Sequence, residues 1–396
     1  MPMPRGETIV LTLNSGSSSL KFGLYRVDAS RVEALFTGEA DFSGESTGQY
    51  HANDAHGGAP TTGSVSIRDQ RDAIGQIEAL LAGHGLPPPT VIGHRIVHGG
   101  PKLGRHCIID DEVLRQLKAA IPFAPLHLPP ALTIIRSARE RFPGLPQVAC
   151  FDTTYHANLP DVARVLPLPR ALRAEGIQRY GFHGLSCESV LHQLGADIPS
   201  RIVIAHLGNG ASVTAVKGGK SIDTSMGLTP SGGVIMGTRT GDLDPGVLVY
   251  LTREKKLDAA MMEDLVDRRS GLLGISGVGS DMRQLHQSAP TNPDAQLAIG
   301  MFCYSVRKQI AAMIAVLDGI DLIVFTGGIG ENDAEIRAAI CAGLAWAGVA
   351  LDGSRNRAGD NQISDPGSRC KVLVLPSQED KQIASLSWAL YPQGAA

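Results

Sequence analysis

Residues 201–246 read RIVIAHLGNGASVTAVKGGKSIDTSMGLTPSGGVIMGTRTGDLDPG. A β-rich apolar run, Ile202 to Ala205, turns through Gly208-Asn209-Gly210 and resumes β character from Ser212 to Val216, the pattern of a hairpin with a glycine turn. Two glycines around an asparagine let backbone N–H groups approach an anion closely, because no Cβ intervenes and positive φ costs little. Downstream, Gly237-Thr238-Arg239-Thr240-Gly241-Asp242 sets an arginine and a carboxylate on a glycine-bracketed loop, and arginine's fixed fork of donors suits phosphoryl oxygens. A lone Gly-Asn-Gly is an ordinary hairpin turn; its company gives it chemical meaning.

The start of the chain repeats the device. Thr8 to Leu13 is β-rich, Asn14 to Ser19 is a polar turn, and Leu20 to Val27 is a second alternating strand carrying Lys21. Two strand–turn–strand units imply an internal duplication with two phosphate-gripping hairpins. A third piece, DLIVFTGGIGEN, runs a buried strand, Leu322 to Phe325, into Gly327-Gly328 and Gly330, after which an acidic residue opens a helix.

The 396 residues allow two or three domains, and a net charge of −3 at pH 7 argues against a nucleic-acid or membrane surface as partner. The N-terminus lacks a secretory apolar stretch, and the longest apolar run, Ile310 to Leu317, is too short to span a bilayer, so a cytoplasmic location is expected. Six cysteines form no C-x-x-C pair and read as reduced, mostly core residues. Ser43 to Ser66 reads as a loop-laden hairpin with solvent-facing His51 and His56, and Gln70 to Leu81 has helical spacing.

Several residues are candidates for chemistry. Arg95, inside the apolar run 91–97, is costly to bury without an anion and marks either a site or a structural salt bridge. His127, between prolines, is either a satisfied structural group or a site residue, and the following helix, Ala131 to Arg141, is scaffold. Asp152 ends a strand, the usual place for an active-site acid in an open α/β sheet, and equally suits a helix N-cap. His183 lies between glycines in YGFHG, a poor setting for a core histidine. Ser377-Gln378-Glu379-Asp380 reads as a capping box. Gly219-Lys220-Ser221 and GISGVG imitate nucleotide-binding loops, but neither has the required glycine spacing or strand–helix context.

In order along the chain, NSGSSSLKF, HRIVHGG, FDTTYH, YGFHG, HLGNGAS, DTSMG, MGTRTGDLDP and FTGGIGEN resemble the motifs of acetate kinases. The resemblance runs from about Asn14 to Glu379, and it places the chain in the superfamily of acetate and sugar kinases, heat-shock chaperones and actin. It implies an α/β fold of two duplicated ribonuclease H-like, actin-like ATPase domains with an active-site cleft between them. Residues 1–152 plus 381–396 would form one domain and 153–380 the nucleotide-binding one. The implied reaction moves the ATP γ-phosphoryl group directly to acetate, giving acetyl phosphate and ADP, with Mg2+ or alternatively Mn2+ as cofactor.

By the same resemblance Arg95 holds the acetate carboxylate, Val97, Leu126, Phe182 and Pro230 wall the methyl pocket, and His127 is a site histidine. Asp152, His183 and Arg239 are catalytic. Asp152 is not an obligatory base, since a carboxyl of pKa about 4–5 is already ionised at neutral pH. Lys21, His206, Leu207, Gly208, Asn209 and Gly210 meet the phosphates. Asp281, Met282 and Arg283 lie near the adenosine, with Gly327, Gly328, Ile329, Gly330, Glu331 and Asn332 also on the nucleotide. Asn14 and Glu379 hold the metal through water. Leu185, Cys187, Ser231 and Gln378 depart from the family pattern. The resemblance also implies a homodimer. Alternatives are a propionate or other short-chain acyl kinase and a nucleotide-gated binding protein, for which the paired arginines would have no purpose.

Overall fold

Alternating apolar residues over Thr8–Ser15 and Ser19–Val27 form β1 and β2, antiparallel in a register that sets Asn14 against Lys21. The computed structural model describes residues 7–15, 19–41, 48–54, 61–65 and 70–391. They fall into two compact units, 1–157 with 378–396 and 158–377. Glu379 and Asp380, grouped from sequence with the second domain, thus fold with the first.

In the first unit β3 (Val32–Asp41), β4 (Gly48–Asp54) and β5 (Thr61–Val65) extend antiparallel from β2. On the other side of β1, β6 (Val91–Ile96) and β8 (Gln147–Phe151) add in parallel, and the short β7 (Cys107–Ile108) closes the edge, giving the order β5-β4-β3-β2-β1-β6-β8-β7. The second unit contains β9 (Arg201–Leu207), β10 (Ala211–Lys217), β11 (Lys220–Thr224), β12 (Leu322–Thr326) and β13 (Lys371–Val374), in the order β11-β10-β9-β12-β13. Its first three strands are antiparallel and its last two join β9 in parallel. Without β4, β5 and β7 the first sheet has the same order and directions, so the duplication expected from the two hairpins is written in the strand topology.

The helix Gln70–Gly83 is marginal on its own at 14 residues. Burial of Ile74, Ile77, Leu80 and Leu81 among Leu11, Leu13, Phe22 and Phe36 holds it, at about 1.5–3 kcal/mol per side chain. On the opposite face the last helix, Glu379–Leu390, packs on β1 and β6. Gly93 permits that approach, since a Cβ there would lie 2.2 Å from Ser387 Oγ and 2.6 Å from Ile383 Cγ2.

The structure differs from the sequence reading at several places. The scaffold helix begins at Leu128, not Ala131, because Pro129 and Pro130 are tolerated in a first turn whose N–H groups have no intrahelical partner. The expected hairpin over 43–66 is β4 paired with β5, with His51 exposed; residues 42–47, 55–60, including His56, and 66–69 lie outside the described residues. Gly219-Lys220-Ser221 occupies the turn into β11, with no helix following. The helix Pro293–Val316 is long and apolar enough by length and composition to cross a membrane, which the search for uninterrupted apolar runs overlooked. Its Ala295, Ala298, Phe302, Val306, Ile310 and Met313 recur at helical spacing and are buried, and it packs on β9 and β10.

Candidate active site

Three adjacent strands of the first unit run parallel and end at the same edge. Pairing of Leu13 with His94 brings Asn14 beside Arg95, and pairing of Ile96 with Phe151 brings Asp152 to the same level. Side chains at strand C-termini therefore converge. Arg95 Nη2 donates to Asp152 Oδ2 at 2.7 Å and its Nε at 3.0 Å, while Nη1 donates to Asn14 Oδ1 at 3.1 Å. Asp152 is therefore no helix cap; the N-cap position of the short helical turn after it is Thr153, whose side chain makes no capping hydrogen bond. Glu379 Oε2 lies 3.7 Å from Arg95 Nη1, and Asn14 Nδ2 donates to Glu379 Oε2 at 3.3 Å and Asp380 Oδ1 at 3.1 Å.

Burial raises the Asp152 carboxyl above the usual range; Arg95 opposes this and Glu379 adds to it. Burial also raises Asp380, against the Asn14 hydrogen bond and with Glu379 adding to the rise. Burial lowers the Arg95 guanidinium pKa, but Asp152 and Glu379 more than offset it, so the group stays firmly charged. Three of the five Arg95 N–H groups are engaged by Asp152 and Asn14, and Nη1 also faces Glu379 at 3.7 Å.

The capping box expected over residues 377–380 does not form. Gln378 is the N-cap of the last helix without a side-chain cap hydrogen bond, and the two acids turn to Asn14 instead. Lys21 is exposed on β2 opposite Asn14, and its charge lowers the Asp380 carboxyl. Val97, Leu126 and His127 are half-buried, the last two just ahead of the helix Leu128–Arg141.

In the second unit β9 and β10 form the expected hairpin through Gly208-Asn209-Gly210. Neither glycine adopts positive φ, contrary to the sequence reading. Space is tight at both: a Cβ on Gly210 would lie 3.3 Å from His183 Nε2 and 3.5 Å from Arg239 Nη1, and one on Gly208 would lie 3.3 Å from the Gly210 carbonyl oxygen. His183 has φ 58, a left-handed conformation sparsely populated outside glycine, and precedes the helix Gly184–Leu194. Its Nδ1 is 3.0 Å from Ser212 Oγ, and its ring stacks on His206 with centroids 4.2 Å apart. His206 Nδ1 is 2.8 Å from Ser186 Oγ.

Arg239 Nη1 donates to the Pro230 carbonyl at 3.3 Å. The turn that carries Arg239 is closed by Met236 N to Arg239 O at 3.1 Å, and Gly271, at φ 61, lies against the same backbone. Asp242 does not accompany Arg239; it accepts from Gly233 N at 2.7 Å and Gln309 Nε2 at 3.2 Å and fixes the loop. Phe182 and Pro230 are buried, as are the departures Leu185 and Cys187.

The helix after β12 begins at Gly327 and ends at Asn332, so the glycine run is itself helical and the acid that caps the following helix is Asp333. Gly327 has φ 79, and a Cβ on it would lie 2.8 Å from the Leu207 carbonyl oxygen. Gly330 is buried and Ile329 half-buried. The Glu331 carboxylate turns inward to accept from Gly327 N at 2.9 Å and Ser377 N at 2.8 Å, and Asn332 donates to the Gly328 carbonyl at 2.9 Å. Asp281 caps the helix Met282–Ser288 and pairs with exposed Arg283 at 2.6 Å, while Met282 is buried. That segment abuts the Gly208–Gly210 turn through Gly237, on which a Cβ would touch both Asn209 and Ser280.

Sequence reasoning missed Asp380, Ser212 and Ser186, which hold Asn14, His183 and His206. Only the acid run beside Glu379 gave a signal; the serines look like ordinary strand and helix residues.

The model of the acetokinase family matches residues 9–385. An acetate kinase of Methylocella silvestris is 44% identical over 98% of this chain and 99% of its own length, and one of Heliobacterium modesticaldum is 41% identical over 96% and 99%. Among solved structures, a Porphyromonas gingivalis acetate kinase superposes with TM-score 0.85 at 34% identity, over 97% of this chain and 99% of its own. A Francisella tularensis propionate kinase gives 0.90 at 34% identity, over 97% and 100%. The fold is the duplicated, actin-like ATPase α/β fold, and the chain belongs to the acetokinase family.

Proposed function

We propose that the chain is an acetate kinase that transfers the ATP γ-phosphoryl group to acetate, reversibly, giving acetyl phosphate and ADP. The observation that carries this reading is the convergence of His183 Nε2 and Arg239 Nη1 on one point over Gly210. A phosphoryl group in transfer spreads negative charge over its equatorial oxygens, and a guanidinium beside a glycine turn answers that charge. Arg95 would take the acetate carboxylate, and Val97, Leu126, Phe182 and Pro230 are the residues we propose for its methyl group. Asp152 would fix Arg95 electrostatically and abstract no proton, since acetate arrives ionised. His127 would contact substrate, and Lys21, residues 206–210, 281–283 and 327–332 would serve the nucleotide, with Glu331 acting through its hold on Gly327.

Asn14, Glu379 and Asp380 suit a hard divalent cation. They offer oxygens, and burial beside Glu379 disfavours the charged Asp380 carboxylate, a penalty that a cation would offset. Among the described residues no cluster of three or more His, Cys, Asp or Glu forms a full ligand set, which fits magnesium, an ion that retains its waters. When bound, it would neutralise phosphate charge.

A homodimer is supported by the helices Pro245–Glu254 and Ala259–Arg268, neither of which buries a residue, although Val249, Tyr250 and Met261 are large and apolar. A cytoplasmic location fits ATP chemistry and cysteines that form no disulfide. The likeness to a propionate kinase keeps propionate as a second substrate to test, because one methylene is worth only about 1–3 kcal/mol in a pocket.

The test is acyl-hydroxamate formation from acetate, propionate and butyrate with ATP and hydroxylamine, for wild type, Arg95→Ala and Arg239→Ala. Acetate should lead, Arg239→Ala should lose about 10³-fold in rate, and Arg95→Ala should chiefly raise the acetate KM. Absence of acyl phosphate with every acid, with ATP still bound, would overturn the reading.

A further inference from the structure

The stacked pair His183 and His206 is held by hydroxyls, and the direction of those hydrogen bonds has a chemical consequence. Ser377 Oγ donates to Ser186 Oγ at 3.2 Å, so Ser186 is an acceptor there and its own proton is available to His206 Nδ1, 2.8 Å away. The chain Ser377 to Ser186 to His206 thus runs one way, and a neutral imidazole that accepts at Nδ1 must carry its proton on Nε2. His183 Nδ1 lies 3.0 Å from Ser212 Oγ, a hydrogen bond in which either atom can donate, and Ser212 is 1% exposed, so water does not compete for its hydroxyl. Strand pairing sets Ser212 directly opposite His206. One residue therefore orients the first ring while lying beside the second.

Both Nε2 atoms are turned toward the glycine turn. His183 Nε2 would lie 3.3 Å from a Cβ on Gly210, and His206 Nε2 3.9 Å from one on Gly208. Two cationic rings stacked at 4.2 Å would repel, so the pair works with at least one ring neutral. A neutral ring can still donate to an anion, provided that its proton sits on the nitrogen facing it.

We propose that Ser212, and Ser186 driven by Ser377, are positioning residues that lock His183 and His206 in the Nε2–H tautomer, so that both rings present N–H donors to an anion on the Gly208–Gly210 turn. This rests on the phosphoryl-transfer reading only for the identity of that anion; the tautomers can be observed without substrate.

The test is long-range 1H–15N correlation of imidazole-labelled full-length protein without nucleotide, the two rings assigned by loss of signal in His183→Gln and His206→Gln. Wild type should show both rings with the Nε2–H pattern. Ser212→Ala should turn His183 into a mixture of tautomers, Ser186→Ala should do so for His206, and Ser212→Thr should restore the wild-type pattern. Hydroxamate synthesis by Ser212→Ala should fall about fivefold in kcat, the loss of one net hydrogen bond, with Thr restoring it. A wild-type Nδ1–H pattern, or an unchanged His183 pattern in Ser212→Ala, overturns the proposal. If the tautomers are as stated but no acid yields acyl phosphate, the lock stands and the kinase reading fails. Ser212→Ala that does not fold leaves Ser377→Ala, which should loosen His206 alone, as the deciding variant.

Discussion

Asp152 Oδ2 accepts from both Nε and Nη2 of Arg95, at 3.0 and 2.7 Å, across two neighbouring parallel strands. Such a buried pair is weak evidence of net stability, but removing one partner strands the other. Arg95→Ala should lower unfolding stability by about 3–5 kcal/mol, whereas the double variant Arg95→Ala/Asp152→Ala should be more stable than Arg95→Ala alone. Urea unfolding of the four proteins in the cycle measures this. Additive losses would show that the two side chains are not coupled.

His94, the neighbour of Arg95 on β6, is buried and meets Gln147 Oε1 at 2.8 Å. Burial pushes its pKa down to about 4, with Gln147 opposing and Arg139 adding to the fall. A depressed histidine pKa means that the unfolded chain binds the proton more readily, so the contribution is present above about pH 6.5 and lost as pH falls through 4. Relative to His94→Gln, wild type should lose about 3 kcal/mol between pH 7 and pH 4. Thermal or urea unfolding across that range checks it, and parallel pH curves for the two proteins would refute it.

Tyr250 is 51% and Val249 62% exposed on a helix that buries no residue. In the proposed homodimer a second copy of the chain would cover the apolar side chains on these two helices. Val249→Asp/Tyr250→Glu should shift sedimentation velocity from dimer toward monomer at micromolar concentration. A wild type that sediments as a monomer would remove the homodimer from the reading.

What could be read in advance follows the range of the interaction. Arg95 was visible as a charge inside a short apolar run and Asp152 as an acid closing one, and strand ends are where parallel sheets gather chemistry. The glycine turn was visible as a local pattern, although its reason, space for His183 and Arg239, depends on residues elsewhere in the chain. The acids at 379–380 misled because a capping box is judged within four residues, while their actual partner, Asn14, is separated from Asp380 by 366 positions. Ser212 and Gly93 carry no local signal; the first matters through a ring brought in by the Gly184–Leu194 helix, the second through the final helix of the chain. The membrane-length helix escaped because its polar residues interrupt every run, though not its buried stripe.

Gly210 and Gly327 separate the two reasons for a glycine in the second unit. Gly210 has no positive φ, and an added methyl would meet His183 Nε2 at 3.3 Å and Arg239 Nη1 at 3.5 Å, both ends of side chains that can give slightly. Gly210→Ala should therefore keep its stability within about 1 kcal/mol while losing most of its kcat, because the methyl fills the point on which the two donors converge. Gly327 has φ 79, and its methyl would press on the Leu207 carbonyl at 2.8 Å, where backbone must move. Gly327→Ala should cost about 1–3 kcal/mol of stability as well as activity. Urea midpoints beside hydroxamate rates decide it: equal stability losses would mean that Gly210 is a structural turn like any other, and that His183 and Arg239 merely pack against it.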